Sequence, residues 1–275
     1  MNKIKLYNGV NLPEIGFGTW HIKDESILEN ALISAIKLGY KHIDTASKYQ
    51  NEKFIGKILK KYNIQRNEIF ITSKLWNDNK GYEETLKAFD DTLKNLQTEY
   101  LDLYLIHWPM TSKNWEEINW DTWRAFEKLY NEGKVRAIGV SNFLIPHLQS
   151  LKKNIKIMPM VNQIEFHPGF MQKDTVEYCI KNNIVVEAWS PLGSGKMLKN
   201  IELNEIANKY NKSVAQICIK WCLQNNIVPL PKSVCYERIK ENINIYDFSI
   251  SNEDMKYINS MNYFACSGLN PNRIF

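Results

Sequence analysis

The sequence predicts a single α/β domain, a (β/α)8 TIM barrel that spans residues 1–275. Three observations indicate this fold. Short apolar runs rich in Ile, Val, Leu, Phe and Tyr alternate with longer amphipathic segments of helical period. Strand–helix alternation of this kind builds parallel sheets with right-handed crossovers. About eight strands in a chain of 275 residues match the size at which such a sheet closes into a barrel.

The elements follow one another without a linker rich in Pro, Gly or Ser. Residues 3–18 are predicted to form a short hairpin around Asn8 and Gly9. The predicted strands are KHID, IFITS, LDLYLIH, AIGVS, VNQIE, IVVEAW, IVPLP and a weaker NIYDF. The predicted helices between them are SILENALISAIKLG, EETLKAFDDTLKNL, WDTWRAFEKLYNEG, IPHLQSLKK, KDTVEYCIKNN, NEIANKYN, VAQICIKWCLQNN and ERIKENI. Asp121 and Ser251 are predicted as helix N-caps.

Composition narrows the possible classes of function. The net charge of +5 is spread along the chain, and its densest basic runs fit solvated helix faces, so we expect no nucleic-acid partner. No stretch approaches the roughly 18 to 20 apolar residues that span a bilayer, and the N-terminus lacks the features of a secretory signal. The five irregularly spaced cysteines predict reduced thiols and no metal site. We therefore expect a cytoplasmic protein without a membrane partner.

Four polar residues lie at or just after the ends of three successive predicted strands. Asp44 ends KHID and Tyr49 lies five residues later, Lys74 follows IFITS, and His107 ends LDLYLIH. The C-terminal ends of barrel strands converge on one mouth, where catalysis takes place. There, an ammonium stabilises a phenolate and lowers the pKa of a tyrosine, while a carboxylate orients the ammonium. This set predicts a general acid that delivers a proton to a substrate oxygen.

Eight stretches between Asn11 and Asn242 resemble the motifs of a known protein family and occur in the same order as in that family. They are NLPEIGFGTW, HIDTASKYQNE, TSKLWN, LIHWP, GVSNF, VNQIEFHP, EAWSPLG and PKSVCYERIKEN. Together they resemble the aldo-keto reductase superfamily, in particular bacterial-type members similar to 2,5-diketo-gluconate reductase and aldehyde reductases. The resemblance implies that the N-terminal hairpin closes the bottom of the barrel.

The resemblance also implies an activity and a catalytic set. The activity is the NADPH-dependent reduction of aldehydes and ketones to alcohols by hydride transfer, performed by a monomer on a small carbonyl substrate. Tyr49 is then the general acid, Lys74 and Asp44 tune it, and His107 orients the carbonyl. All four positions match the family pattern.

The nicotinamide end of the cofactor is assigned by the same resemblance, because the chain has no G-x-G-x-x-G after a strand and no P-loop. Ser141, Asn142 and Gln163 are expected to contact the carboxamide, and their hydroxyl and amide groups can pair with it. Trp189 stands where the family places an aromatic ring under the nicotinamide.

The phosphate end is assigned to residues after the strand IVPLP. Lys232, Ser233 and Arg238 match family positions around the 2′-phosphate, which favours NADPH over NADH. The remaining cofactor contacts implied by the resemblance are Ser190 and Leu192 in the loop over the pyrophosphate, and Glu241 and Asn242 near the adenine.

Aromatic residues beside the mouth are expected to form the substrate pocket. These are Trp20, Trp76 and Trp108, which join His107 in contacting the substrate. The loop MTSKNWEEINW and the tail YFACSGLNPNRIF are expected to complete the pocket. The tail contains NPN where related bacterial enzymes show DPD-like residues, so a preference for diketo-sugar acids does not transfer.

Two other functions are compatible with the sequence. One is a catalytically weak, nucleotide-binding barrel that acts as a sensor or partner subunit, as potassium-channel β subunits of this family do. The other is a different (β/α)8 enzyme, a hydrolase or an aldolase, in which Lys74 forms a Schiff base. The presence of Tyr49 and His107 together with the PKS segment and Arg238 argues against the second.

Overall fold

The computed structural model describes residues 2–109 and 112–273. The strands in these residues are β1 (Lys3–Lys5), β2 (Asn11–Pro13), β3 (Phe17–Gly18), β4 (His42–Asp44), β5 (Phe70–Leu75), β6 (Leu101–Ile106), β7 (Val135–Ser141), β8 (Val161–Glu165), β9 (Val185–Trp189) and β10 (Val228–Pro229). The α-helices are α1 (Glu25–Lys37), α2 (Glu52–Lys61), α3 (Tyr82–Leu96), α4 (Trp115–Asn131), α5 (Ile145–Lys152), α6 (Lys173–Lys181), α7 (Ile201–Lys209), α8 (Val214–Gln224), α9 (Tyr236–Ile243) and α10 (Asn252–Ser260).

Strands β3 to β10 form one parallel sheet in which each strand pairs with the next. The sheet closes because Gly16 and Gly18 donate backbone hydrogen bonds of 3.0 Å to the carbonyls of Pro229 and Pro231. Glycine is required at this seam: a Cβ on Gly16 would lie 2.5 Å from Leu230. The predicted eight-stranded barrel is confirmed.

One predicted strand is wrong. The segment NIYDF does not form a strand; its position in the barrel is taken by β3, which lies inside the segment predicted as hairpin. Ile245 is buried, but Tyr246 and Asp247 are exposed, and Asp247 pairs with Lys212 outside the barrel. The eight strands from β3 to β10 already close the sheet, so no edge remains for another strand.

The N-terminal hairpin covers the bottom of the barrel, as predicted. Strands β1 and β2 pair antiparallel, with Lys3 opposite Pro13. Asn8 donates a hydrogen bond of 2.9 Å to the carbonyl of Arg136 at the start of β7, and Tyr7 donates one to the carbonyl of Met158 just before β8. Both acceptors lie at the N-terminal ends of strands, so the hairpin occupies the end opposite the mouth.

Helices surround the sheet and bury its outer face in a continuous apolar core. Ser251 caps α10 by accepting from the backbone of Asp254, as predicted. Asp121 is not an N-cap, because α4 begins six residues earlier, at Trp115. Among the described residues, no helix combines the length and the apolar character needed to cross a membrane.

Candidate active site

Three of the four predicted catalytic residues lie at the C-terminal ends of neighbouring strands, at the mouth. Asp44 ends β4, Lys74 is the penultimate residue of β5, and His107 follows β6 directly. Tyr49 lies on a short 3-10 turn after β4. The hydroxyl of Ser47 in this turn donates to the carbonyl of Lys74 at 3.0 Å, which ties the turn to β5. The structure thus brings the four side chains together.

Lys74 is the centre of the cluster and is fully buried. Its Nζ lies 2.7 Å from Asp44 Oδ1, 2.9 Å from the carbonyl of Thr45 and 3.3 Å from the Tyr49 hydroxyl. Three acceptors therefore match the three donors of an ammonium group. Burial alone would lower the pKa of Lys74, but Asp44 and Tyr49 raise it above its ordinary value. Lys74 is accordingly a permanent cation at neutral pH.

The pKa of Tyr49 shows two opposed effects. Burial raises it, the Lys74 ammonium lowers it, and the net shift is upward. Lys74 lowers the pKa of Tyr49, as predicted, but burial raises that pKa by more. The phenol is therefore not more acidic than an ordinary tyrosine. Tyr49 consequently stays protonated at neutral pH, and Lys74 stabilises the phenolate that remains once the proton has left.

His107 is a neutral imidazole. Burial, with the nearby charges of Lys74, Lys48 and Lys80, holds the pKa of His107 well below its usual range. Its ring meets Tyr49 edge to face at 5.8 Å between centroids. A neutral ring can donate one hydrogen bond, and no described residue bonds to its Nδ1.

Ser141 and Asn142, at the end of β7, hold neighbouring groups in place. Asn142 donates to the carbonyl of His107 at 3.0 Å and accepts from the indole nitrogen of Trp189 at 2.8 Å. The hydroxyl of Ser141 donates to the carbonyl of Gln163 at 2.8 Å. The Asn142 backbone is left-handed, with φ of 64°, which asparagine tolerates better than most residues. These bonds fix the partly exposed Trp189 ring beside the cluster of Asp44, Tyr49, Lys74 and His107.

Gln163 is bonded to the catalytic cluster directly. Its Nε2 lies 2.8 Å from Asp44 Oδ2 and 2.9 Å from Glu187 Oε2. The Asp44 carboxylate therefore bridges Lys74 on one oxygen and Gln163 on the other. Glu187 lies on β9, two residues before Trp189, and is completely buried.

The residues assigned to cofactor phosphates lie after β9 and β10. The loop Gly193–Lys199 has left-handed backbone at Ser194 and Gly195, and Ser190 and Ser194 share a hydrogen bond of 2.9 Å. Lys232 and Arg238 are exposed, and neither forms an ion pair within the described ranges. The remaining assigned residues are the partly buried Leu192 and Glu241 and the buried Ser233 and Asn242.

The three predicted pocket tryptophans differ in exposure. Trp76 packs edge to face on His107 at 5.1 Å and carries the Lys48 ammonium 4.5 Å from its ring centre. Trp108 is buried, whereas Trp20 is 50% exposed after β3. Trp20 and Trp76 thus have surface available at the mouth. Met110 and Thr111 of the predicted pocket loop lie outside the described residues.

The C-terminal tail is bonded to residues at the mouth through Cys266 and Ser267. Glu165, at the end of β8, accepts hydrogen bonds from the backbone and the hydroxyl of Ser267 at 2.8 and 2.6 Å. Lys196 in the loop after β9 donates to the carbonyl of Cys266 at 3.2 Å. The tail is therefore tied to two of the loops that surround the mouth. Ile274 and Phe275, the last residues of the predicted pocket tail, lie outside the described residues.

Lys80 is a buried residue that the sequence did not single out. Its Nζ donates to the carbonyls of Trp108 and Pro109 and to the Asn119 side chain, at 2.6 to 2.9 Å. Burial lowers the pKa of Lys80 to about 7, whereas its three acceptors match the three donors of the protonated form. Lys80 thereby anchors the segment that follows His107. No local sequence signal marks it, because its partners are up to 39 residues away.

Replacing Lys80 with methionine is expected to loosen this segment. The change removes the Lys80 donor from the Trp108 and Pro109 carbonyls and from Asn119 Oδ1, and losing a partner costs about 1–3 kcal/mol for a buried polar group. We expect a several-fold rise in KM for carbonyl substrates and a lower Tm, with an unchanged far-UV spectrum. Steady-state kinetics with thermal denaturation measure both effects. Lys87→Met, on the exposed face of α3, is the matched control, and equal kinetics for the two variants would contradict the anchoring role.

The fold and the mouth together define a (β/α)8 enzyme with an ionisable Tyr–Lys–Asp–His cluster at its catalytic end. Comparison with known proteins narrows this class. The aldo/keto reductase family model matches residues 14–263, and the chain belongs to that family. It is therefore an oxidoreductase of the carbonyl-reducing type.

Individual relatives cover almost the whole chain. Glyoxal reductase from Bacillus subtilis (strain 168) is 49% identical over 271 residues, which are 98% of this chain and 96% of the relative. The solved structure of MGS-M4, an aldo-keto reductase enzyme from a Medee basin deep-sea metagenome library, has a TM-score of 0.94 and 45% identity over 99% of both chains. A variant of Gox0644 solved in complex with NADPH has a TM-score of 0.93 and 38% identity, over 100% of this chain and 98% of that one.

Proposed function

We propose that this single-domain protein reduces aldehydes and ketones with NADPH and that Tyr49 is its general acid. The observation that carries the proposal is the buried Lys74, which bonds both Asp44 and the Tyr49 hydroxyl. A general acid must stay protonated until the substrate binds, and its conjugate base must then be stabilised. The arrangement of Lys74, Asp44 and Tyr49 meets both requirements. The family membership supports the same chemistry.

The residues present fit a nicotinamide nucleotide. Trp189 offers a partly exposed ring fixed by Asn142, and the Gln163 amide nitrogen faces two carboxylates, which leaves its oxygen available as an acceptor. Lys232 and Arg238 are exposed cations suited to a phosphate. NADPH is bound by the Gox0644 variant. Bound here, it would supply the hydride for the carbonyl carbon.

The chain's own residues handle the oxygen and its proton. Tyr49 donates a hydrogen bond to the substrate carbonyl and then transfers its proton to the oxygen. The neutral His107 ring orients the same oxygen and stabilises its developing charge, as an oxyanion-hole donor does. Lys74 stabilises the phenolate, and Asp44 keeps Lys74 in position.

A Schiff-base role for Lys74 does not fit this geometry. A lysine nucleophile must be neutral. Asp44 and Tyr49 raise the pKa of Lys74 by more than burial lowers it, so Lys74 stays protonated. All three donors of the ammonium are also engaged. Lys74 therefore tunes Tyr49 and is not itself the nucleophile.

The experiment that tests the proposal is a titration of the purified protein with NADPH and NADH, followed by tryptophan fluorescence. Consumption of NADPH is then measured by absorbance with a panel of aldehydes and ketones, in which glyoxal is included because of the relative's name. Tight NADPH binding with turnover is expected. Binding without turnover of any carbonyl would favour the sensor or partner function, and no binding would overturn the cofactor assignment.

Replacing Arg238 with alanine is expected to weaken NADPH far more than NADH. A guanidinium binds two phosphate oxygens at once, and NADH lacks the 2′-phosphate. We expect a rise in Kd for NADPH of about 10- to 100-fold, corresponding to a charge-assisted bond of about 1.5–3 kcal/mol, and little change for NADH. Arg124→Ala, an exposed arginine on α4, is the control. Equal losses for both nucleotides would remove Arg238 from the 2′-phosphate site.

A further inference from the structure

Glu187 is a buried carboxyl group that has no role in the proposed proton and hydride transfer. It lies on β9 and is completely buried, and it has no cationic partner within 4 Å among the described residues. Its Oε2 accepts from Gln163 Nε2 at 2.9 Å, and its Oε1 has no partner in the described part of the chain. A buried carboxyl with one hydrogen bond is costly, so its presence requires an explanation.

The contact with Gln163 determines which way that amide faces. A glutamine amide has two N–H donors, and here both are directed at carboxylates, one of Asp44 and one of Glu187. Exchange of the nitrogen and oxygen would place the amide oxygen against Asp44 Oδ2, which repels it, and would remove the donor from Glu187 Oε2. The amide of Gln163 is thus held in one orientation, with Oε1 turned away from both carboxylates.

Glu187 lies close to Asp44, because both carboxyl groups accept hydrogen bonds from Gln163 Nε2. Their bonded oxygens are within about 6 Å of each other, where like charges disfavour double ionisation. Lys74 on β5 forms an ion pair with Asp44 on β4, with 2.7 Å between Nζ and Oδ1. Burial, followed by the charge of Asp44, raises the pKa of Glu187 to about 8. Glu187 accordingly accepts the hydrogen bond as a neutral acid at neutral pH and as a carboxylate above pH 8.

We propose that Glu187 is a positioning residue that holds the Gln163 amide so that its oxygen accepts a hydrogen bond from the nicotinamide carboxamide. The inference rests on the proposed function, which assigns Gln163 to that carboxamide. Glu187 acts through Gln163 and touches neither substrate nor cofactor. Asp44 alone would engage one N–H of Gln163 and leave the second buried donor without an acceptor.

The test compares nucleotide binding by four proteins: wild type, Glu187→Leu, Gln163→Leu and the double variant. Glu187→Leu removes the acceptor with little change of volume. The probes are NADPH and adenosine 2′,5′-bisphosphate, which lacks nicotinamide. Glu187→Leu is expected to weaken NADPH about tenfold, because a buried donor loses its partner, and to leave binding of the bisphosphate unchanged. The double variant is expected to bind NADPH no more weakly than Gln163→Leu alone.

A conservative variant provides a second measurement that does not depend on folding of the leucine variant. Glu187→Gln keeps an acceptor oxygen but cannot ionise, so its NADPH affinity is expected to stay near that of wild type at pH 7. Between pH 6.5 and 9.5 the wild type is expected to show an inflection near pH 8 in NADPH affinity, and Glu187→Gln is expected to show none. Binding of the bisphosphate is expected to show no difference between the two.

Three results would overturn the assignment. They are equal weakening of both probes by Glu187→Leu, additive losses in the double variant, and the same inflection in wild type and Glu187→Gln. Each readout is binding, so the test is separate from turnover. Failure of the wild type to reduce any carbonyl would overturn the proposed function while the binding comparison would still decide the role of Glu187.

Discussion

Tyr49→Phe is expected to lower kcat about 10²–10⁴-fold while NADPH binds as tightly as in the wild type, because only the transferable proton is removed. Phenylalanine keeps the ring that packs edge to face on His107. It also leaves the Lys74–Asp44 pair intact, so the fold is expected to persist. The loss should therefore appear in kcat and not in stability.

Single-turnover reduction of the best aldehyde, with NADPH binding measured in parallel, checks this expectation. Tyr257→Phe is the matched control because Tyr257 is exposed on α10, far along the chain from the mouth cluster. A kcat within a few-fold of the wild type in Tyr49→Phe would show that another group delivers the proton.

Asp44→Leu is expected to abolish turnover and to lower the free energy of unfolding by about 3–5 kcal/mol, since it leaves the Lys74 ammonium buried without its counter-charge. Lys74 is fully buried, and its distance of 2.7 Å to Asp44 is its shortest contact with an acceptor. Leucine also removes the acceptor for one Gln163 donor. The unfolding midpoint in urea measures the stability loss.

The double replacement Asp44→Leu with Lys74→Met separates stability from catalysis. Removing both charges together is often neutral or stabilising where removing one is not. We expect the double variant to regain most of the lost unfolding free energy and to remain inactive. A double variant as unstable as Asp44→Leu would mean that the ion pair is not the source of the loss, and restored turnover would contradict the role of Lys74.

Local sequence patterns were sufficient for seven of the eight barrel strands and for placing Asp44, Tyr49, Lys74 and His107 together at the mouth. Apolar runs of strand length are visible in the chain, and parallel strands put their C-terminal ends on one side. A polar residue directly after such a run, as at His107, is therefore placed without knowledge of any contact. The hairpin turn at Gly9, with φ of 90°, carries a similarly local signal.

The missed features depend on contacts between distant parts of the chain. Strand β3 has only two residues, and it is recognisable as a strand only through the bonds that close the barrel. The segment NIYDF has a strand-like composition, but the eight strands β3 to β10 already close the sheet and leave no edge for it to pair with. The hydrogen bond from Gln163 to Asp44 joins residues 119 positions apart, and the hydrophobic periodicity of the sequence cannot predict such a pair. For the same reason the roles of Lys80 and Glu187 become visible only in the folded protein.

The hairpin formed by β1 and β2 has a practical consequence for immobilising this enzyme. Its bonds to Arg136 and Met158 hold it at the closed end of the barrel, while the C-terminal tail is tied to Glu165 at the open end. A surface tether or fusion partner joined ahead of β1 therefore leaves the entrance for substrate unobstructed. The same attachment beside Ser267 would instead lie close to that entrance and crowd it.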